Sequence, residues 1–186
     1  MATQYDALNS DHQDFIQRQH IFFTASAAAG SKINISPREA GALRILDDNT
    51  LIYLDRTGSG NETAAHMLAD GRLTIMLCSY AGPPQIMRIY GMGVSVGWES
   101  AEFEELIAQF YDGQTPLGAR QIVKLNIDLV QTSCGFGVPL FDYQGDRASL
   151  ENWHEHQGPD GILASWKEHN LDSIDGLPTG LKLQKD

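Results

Sequence analysis

The sequence predicts a mainly β fold: a closed or partly closed antiparallel barrel with short helices around it and a helical C-terminal tail. Three observations lead there. Short apolar runs rich in strand formers recur between turn residues. Leu125, Ile127 and Leu129 alternate strictly with Lys124, Asn126 and Asp128, a two-residue period that only a half-buried strand explains. Helical periodicity is confined to a few stretches, so the strand–helix alternation of a parallel sheet is absent, as is a GxGxxG turn.

Taken in order, Ser10 and Gln13 have capping-box spacing and open a short helix over Asp11 to Arg18. His20 to Ala27 is an apolar strand, ended by Gly30. In Lys32 to Ser36, Ile33 and Ile35 alternate with polar neighbours, which predicts a half-buried strand stopped by Pro37. Thr50 to Asp55 follows an Asp-Asp-Asn turn as the next strand. Glu62 to Ala69 is a short helix with Gly71 placed to end it. Arg72 to Ser79 and Gln85 to Val96 form a strand pair across Ala-Gly-Pro-Pro, and Gly91-Met-Gly93 inside the second strand suggests a bulge or a close backbone approach. Glu99 to Tyr111 carries Phe103, Leu106, Ile107 and Phe110 at the spacing of an amphipathic helix. From Arg147 onward an acidic tail has helical character around Trp153 and Trp166. The expected organisation is a single domain over 1–186, with a core of about 15–142 and an appendage over 143–186.

A length of 186 residues, 42% hydrophobic and 20% charged, suits a soluble domain with a substantial core. A net charge of -11 argues against a surface for nucleic acid or anionic lipid, which needs clustered Lys and Arg. An anionic ligand would have to be held by local donors, such as a helix N-terminus and an individual arginine. No run approaches the roughly 18 apolar residues of a membrane span, and the polar, acidic start does not read as a signal peptide. Cys78 and Cys134 form no CxxC or zinc pattern and are expected as free thiols in a reducing cytoplasm. The histidines do not predict a metal site: His154 and His156 point in different directions on a helix, His66 pairs by spacing with Glu62, and His20 sits at a strand edge.

The most informative stretch runs from Leu54 to His66 (LDRTGSGNETAAH), where a strand gives way to a glycine-containing loop and a helix. Ser59 and Glu62 have capping-box spacing, making Ser59 the expected N-cap. Two readings stand side by side: a polar loop that caps a helix, or a phosphate cradle of Thr57, Ser59, Asn61 and the first N–H groups of the helix.

The segments Asn34-Ile-Ser-Pro37, Leu54 to His66, Arg88-Ile-Tyr-Gly-Met-Gly93 and Ser133-Cys-Gly-Phe-Gly-Val-Pro139, in that order, resemble the pyridoxamine phosphate oxidase-like FMN-binding family. The resemblance spans about Phe15 to Pro139 and is specific as a set. It implies a six-stranded antiparallel split β-barrel that works as a homodimer, with FMN between the subunits. It places Asn34, Ile35, Ser36, Pro37, Leu54, Asp55, Thr57, Ser59 and Asn61 around flavin and phosphate, Arg88 on the strand beside the ring, and Ser133 and Cys134 where the second subunit approaches. Phe22, Phe23 and the rim around Phe136 become candidates for the subunit interface. The vitamin B6 enzymes of the family place Arg-Lys after the loop serine, where this chain has Gly60-Asn61. Their Arg-Leu-His-Asp substrate motif is also missing, the comparable region reading Val138-Pro-Leu-Phe-Asp142. The resemblance thus implies the flavin cradle and not the pyridoxamine phosphate substrate. It leads to an FMN-dependent oxidoreductase acting on a small molecule. The alternatives are a non-catalytic flavin carrier or sensor, a haem-binding relative, or a deazaflavin-dependent reductase.

Overall fold

The computed structural model describes residues 2–184; Met1, Lys185 and Asp186, at the ends of the expected domain, lie outside the described residues. Eight antiparallel strands form one curled sheet: β1 (Thr3–Tyr5), β2 (Ile21–Ser26), β3 (Asn34–Glu39), β4 (Leu43–Asp47), β5 (Thr50–Arg56), β6 (Arg72–Cys78), β7 (Ile86–Gly97) and β8 (Ala119–Ser133). Their order is β3-β2-β6-β7-β8-β5-β4, and β1 pairs with the far half of β8. The two ends of this path, β3 and β4, are consecutive in the chain and joined by a 3-10 turn at Ala40–Ala42. The barrel is split at that seam. β1 and β4 raise the strand number above the expected six, because segments of three and five residues are too short for a period to declare itself.

Phe22, Leu51, Tyr53, Ile75, Met87, Ile89, Val123 and Leu125 fill the inside of the curl. A second cluster, with Ile52, Leu54 and Ile122 from the sheet, packs under α3 (Ala101–Phe110) through Phe103, Leu106 and Ile107. Each such side chain contributes about 1.5–3 kcal/mol when fully buried. Ser100 caps α3 by accepting from Phe103 N. α2 (Glu62–Ala69) matches its expected bounds, and Gly71 follows it at φ +93°. The ladder between β7 and β8 shifts register at Tyr90/Gly91, and a Cβ on Gly91 would overlap the Asn126 carbonyl oxygen. That is the close approach which the Gly-Met-Gly segment signalled.

Several expectations change. α1 (Ser10–Gln17) is capped by Asn9 and not by Ser10: Asn9 Oδ1 accepts from His12 N at 3.0 Å, and His12 Nδ1 accepts from Asn9 N at 3.2 Å. Pro37 lies within β3, which tolerates it as an edge strand paired only with β2. The alternation of β3 is also inverted. Its inward residues are Asn34, Ser36 and Arg38, opposite buried Ser26, Thr24 and Phe22, whereas Ile33 and Ile35 are 74% and 66% exposed. Phe22 is wholly buried in the barrel core and cannot serve a subunit interface.

The C-terminal helix α4 (Ser149–His169) breaks at Gly158, φ +62°, before Pro159, and turns His154, Ile162 and Trp166 inward. Among the described residues no helix is long and apolar enough to cross a membrane. Nor is any group of three or more His, Cys, Asp or Glu side chains placed to hold a metal ion.

Candidate functional site

A cavity of about 700 Å³ opens between the inward face of β3, the loop after β5 and the start of α2. Asn34, Ser36, Pro37, Ser59 and Asn61 line it together with Arg38, Arg56 and Arg120, which the motifs had not singled out. Its rim is completed by the chain from Glu168 to Ile174.

Beneath this cavity lies a buried charge cluster centred on Asp55, 1% exposed. The Asp55 carboxylate accepts from Arg38 Nη1 through one oxygen, and through the other from Arg120 Nε and Gln121 Nε2, both at 2.7 Å. Burial opposes ionisation, but the guanidinium groups of Arg120 and Arg38 outweigh it and hold the carboxyl down at about 2. Two cations share one buried anion, so the cluster carries a positive excess facing the cavity.

Gln121 Nε2 also donates to Asn61 Oδ1 at 2.9 Å. This pins Asn61, which is 2% exposed, and leaves its Nδ2 as a buried donor with no acceptor among the described residues. Arg38 Nε is likewise buried and unpartnered. An unsatisfied buried donor costs about 1–3 kcal/mol, a cost that an anionic oxygen at the right place removes. Asn61 is the N-cap of α2 but makes no side-chain cap hydrogen bond, because Gln121 holds its oxygen. The first N–H groups of a helix have no intrahelical acceptors. Uncapped, this helix start presents them beside the orphan amide. Ser59, expected as the cap, lies two residues upstream and is exposed on the rim. The carboxylates of Glu62, Glu168 and Asp172 also reach the cavity wall, but Glu62 is turned away to accept from Ile174 N at 3.1 Å.

The other expected residues fall into separate places. Asn34 Nδ2 donates to Thr63 Oγ1 at 3.0 Å and Ser36 Oγ to Asn34 Oδ1 at 3.2 Å, so both belong to the cavity's polar wall. Thr57 is buried and already used: its hydroxyl donates to Gly118 O and accepts from Trp166 Nε1 at 2.6 Å. It is therefore no free donor to a ligand. Leu54 packs in the α3 cluster. Ile35 and Pro37 alternate with the inward residues of β3, and Pro37 is in register with Phe23, Met76 and Arg88 across β2, β6 and β7. Three strand spacings, about 14 Å, separate Pro37 from Arg88. Arg88 Nη1 donates to Ser133 Oγ at 3.4 Å, and Cys134 beyond it is exposed. Within one chain the expected polar residues thus form a pocket at β3, β5 and α2 and an outer-face group of Arg88, Ser133 and Cys134, with Leu54 in the core and Ile35 exposed outside both.

The C-terminal segment holds the loop from behind. His154 Nε2 donates to Thr57 O at 3.2 Å while Arg56 Nη2 donates to His154 Nδ1 at 2.9 Å, an arrangement that requires a neutral ring. Burial, with Arg56 adding to it, pushes the His154 pKa down, in keeping with that. Asn170 accepts from Arg120 Nη1 at 2.8 Å and donates to Gly58 O at 3.3 Å. His154, Trp166 and Asn170 carried no motif; two tryptophans in an acidic tail were the one sign that it packs on something.

Comparison with known proteins places this geometry. The family described as pyridoxamine 5'-phosphate oxidase matches residues 8–134. A pyridoxamine 5'-phosphate oxidase family protein of Aspergillus flavus is 34% identical over 194 residues, covering 96% of this chain and 78% of that protein. Among solved structures, HupZ of Group A Streptococcus aligns with a TM-score of 0.53 at 17% identity, covering 66% of this chain and 91% of that one. HutZ, the haem-storage protein of Vibrio cholerae, aligns with a TM-score of 0.50 at 14% identity over 69% of this chain and 97% of that one. At such identities the two structures are likenesses of fold alone.

Proposed function

Because the chain belongs to the pyridoxamine 5'-phosphate oxidase family, we propose that it binds FMN in the cavity at β3 and α2 and acts as an oxidoreductase on a small organic molecule. The observation that carries this reading is the buried, unpartnered Nδ2 of Asn61 beside an uncapped helix start. Together they offer converging N–H donors to a phosphate. The arginine pair around Asp55 adds the positive potential that a dianion needs in a chain of net charge -11. Ser59 on the rim adds a hydroxyl. Bound FMN would supply hydride-transfer chemistry, leaving orientation and electrostatics to the protein. That division of labour suits a cavity whose carboxylates include no paired acid and base. Arg88, on the outer face, is assigned to the flavin of a second copy, where a guanidinium would stabilise negative charge on the ring.

A visible spectrum of freshly purified protein, followed by calorimetric titration of FMN into cofactor-free protein, tests the reading. Paired bands in the blue and near-ultraviolet and saturable FMN binding are expected. An intense Soret band would assign haem instead, and a single near-ultraviolet to violet band would assign deazaflavin. A flavin that binds but is never reduced by any donor would make the protein a carrier.

The same proposal requires a twofold dimer, since Arg88, Ser133 and Cys134 lie too far from the cavity of their own chain. The exposed Ile33, Ile35 and Phe136 (83% exposed) are the apolar surface for it. Light scattering at micromolar concentration is expected to return twice the 20.5 kDa chain mass. A monomer that still binds FMN would contradict the shared site.

A further inference from the structure

A second and larger cavity, about 1120 Å³, lies on the other side of Pro37 and Arg38, the two residues that it shares with the FMN cavity. Its floor is formed by Phe15 of α1, His20 and Ile21 where the chain enters β2, and Tyr80 just after β6, and its roof is the linker from β8 to α4. The roof has no regular secondary structure of its own over 138–147, yet two ring pairs latch it down. Tyr143 stacks on His20 with centroids 3.7 Å apart and planes 1° apart, and Phe141 meets Tyr80 at 5.6 Å. Phe141 N donates to Tyr80 O at 3.0 Å.

We propose that this roofed cavity binds a flat aromatic small molecule carrying no net negative charge. The shape argument is that the walls are ring faces and edges, while the roof rings remain half open: Phe141 is 62% exposed and Tyr143 50%. A planar ligand in the cavity packs against the open faces and edges of Phe141 and Tyr143 without parting the Tyr143–His20 stack, and the volume exceeds what two fused rings need. The charge argument gives an anion no net attraction. Arg38 is bonded to Asp55 and shared with the neighbouring cavity, while Arg18 and Arg147 stand against Glu39, Asp142 and Asp146 on the wall. With Arg38 the wall is neutral, and without it negative by one charge. For its role the inference rests on the FMN reading: an aromatic molecule held against the Pro37–Arg38 edge is then the organic substrate of the neighbouring cofactor. Binding itself does not depend on that reading.

Three probes of one shape test it on the full-length protein: 2-naphthol, the cationic 2-naphthylmethylamine and the anionic 2-naphthoate, titrated by calorimetry. The neutral and cationic probes are expected to saturate, with naphthoate at least about tenfold weaker. Tyr143→Ala and Phe141→Ala, both on the exposed linker, should weaken 2-naphthol about tenfold each by removing one ring contact. FMN affinity should stay unchanged in both. Leu163→Ala, an exposed α4 side chain outside the cavity, should change nothing for 2-naphthol. The proposal is overturned if 2-naphthol fails to saturate below about 1 mM, if naphthoate binds as well as the others, or if the roof variants bind 2-naphthol like the parent. A protein that binds 2-naphthol in this pattern but not FMN would overturn the cofactor reading alone.

Discussion

Asp55→Asn should destabilise the fold by about 3–5 kcal/mol, the expected cost of leaving buried cations without their counter-charge. The substitution keeps the side-chain volume, so packing contributes little and the loss reports the charge. Both Arg120, with its side chain 2% exposed, and Arg38 lose their anion at once. Urea denaturation followed by circular dichroism measures it, and an unfolding free energy within about 0.5 kcal/mol of the parent would show that the cluster is electrostatically idle. The same carboxylate sets an acid limit. Its folded pKa, about 2, lies below the ordinary value of 3.8, so its stabilisation is complete above the unfolded value and is lost as pH falls towards 2. A contribution of about 2–3 kcal/mol should disappear between roughly pH 5 and pH 2 in the parent and be absent from Asp55→Asn. An earlier loss, beginning near pH 6.5, should remain in both proteins. It comes from His12 and His154, whose pKa values burial lowers, so that the unfolded chain takes up protons which the folded one refuses.

Asn61→Ala should weaken FMN by about 1.5–3 kcal/mol, roughly ten- to hundredfold, if its Nδ2 donates to a charged phosphate oxygen. Riboflavin, which has no phosphate, should bind parent and variant alike. Truncation also removes the Oδ1 that accepts from Gln121, so a stability loss of about 1 kcal/mol is expected alongside. Asn61→Asp separates the two effects. It keeps an acceptor for Gln121 while replacing the donor by a negative oxygen, so FMN should suffer more than in the alanine variant. Ser59→Ala should leave stability unchanged, because Ser59 does not cap α2 and no cap hydrogen bond is lost, while FMN alone loses the rim hydroxyl. Equal weakening of riboflavin and FMN by Asn61→Ala would remove Asn61 from the phosphate site and return the loop to a structural role.

Much of the barrel is readable along the chain. The alternation around Leu125 lies at the centre of β8, the helical spacing of Phe103, Leu106 and Ile107 marks the face that α3 buries, and Gly91 stands where β7 meets the Asn126 backbone. Each is a local matter, since the two-residue and 3.6-residue periods are properties of backbone geometry. The loop from Thr57 to Asn61 was equally visible as a polar turn into a helix. Its division of labour was not. Thr57, Ser59 and Asn61 look alike as small polar residues. One proves saturated by Gly118 and Trp166, one exposed, and one left with an orphan donor.

The phase of β3 shows why. A period of two is compatible with either face turned inward, and hydrophobicity chose the isoleucines. In the folded chain Asn34, Ser36 and Arg38 turn inward because Thr63 and Asp55 stand there to receive them. Arg120 and Gln121 are signalled by nothing nearby, for their partner Asp55 is 65 and 66 positions away. The grip of α4 on Thr57 spans 97 and 109 positions. Strand and helix periods, glycine positions and the order of motifs therefore follow from neighbours in sequence. Which polar group is satisfied, which cation is buried and which donor is left for a ligand follow from contacts between distant segments, because a charge or an amide in the interior is stable only beside a partner that folding brings to it.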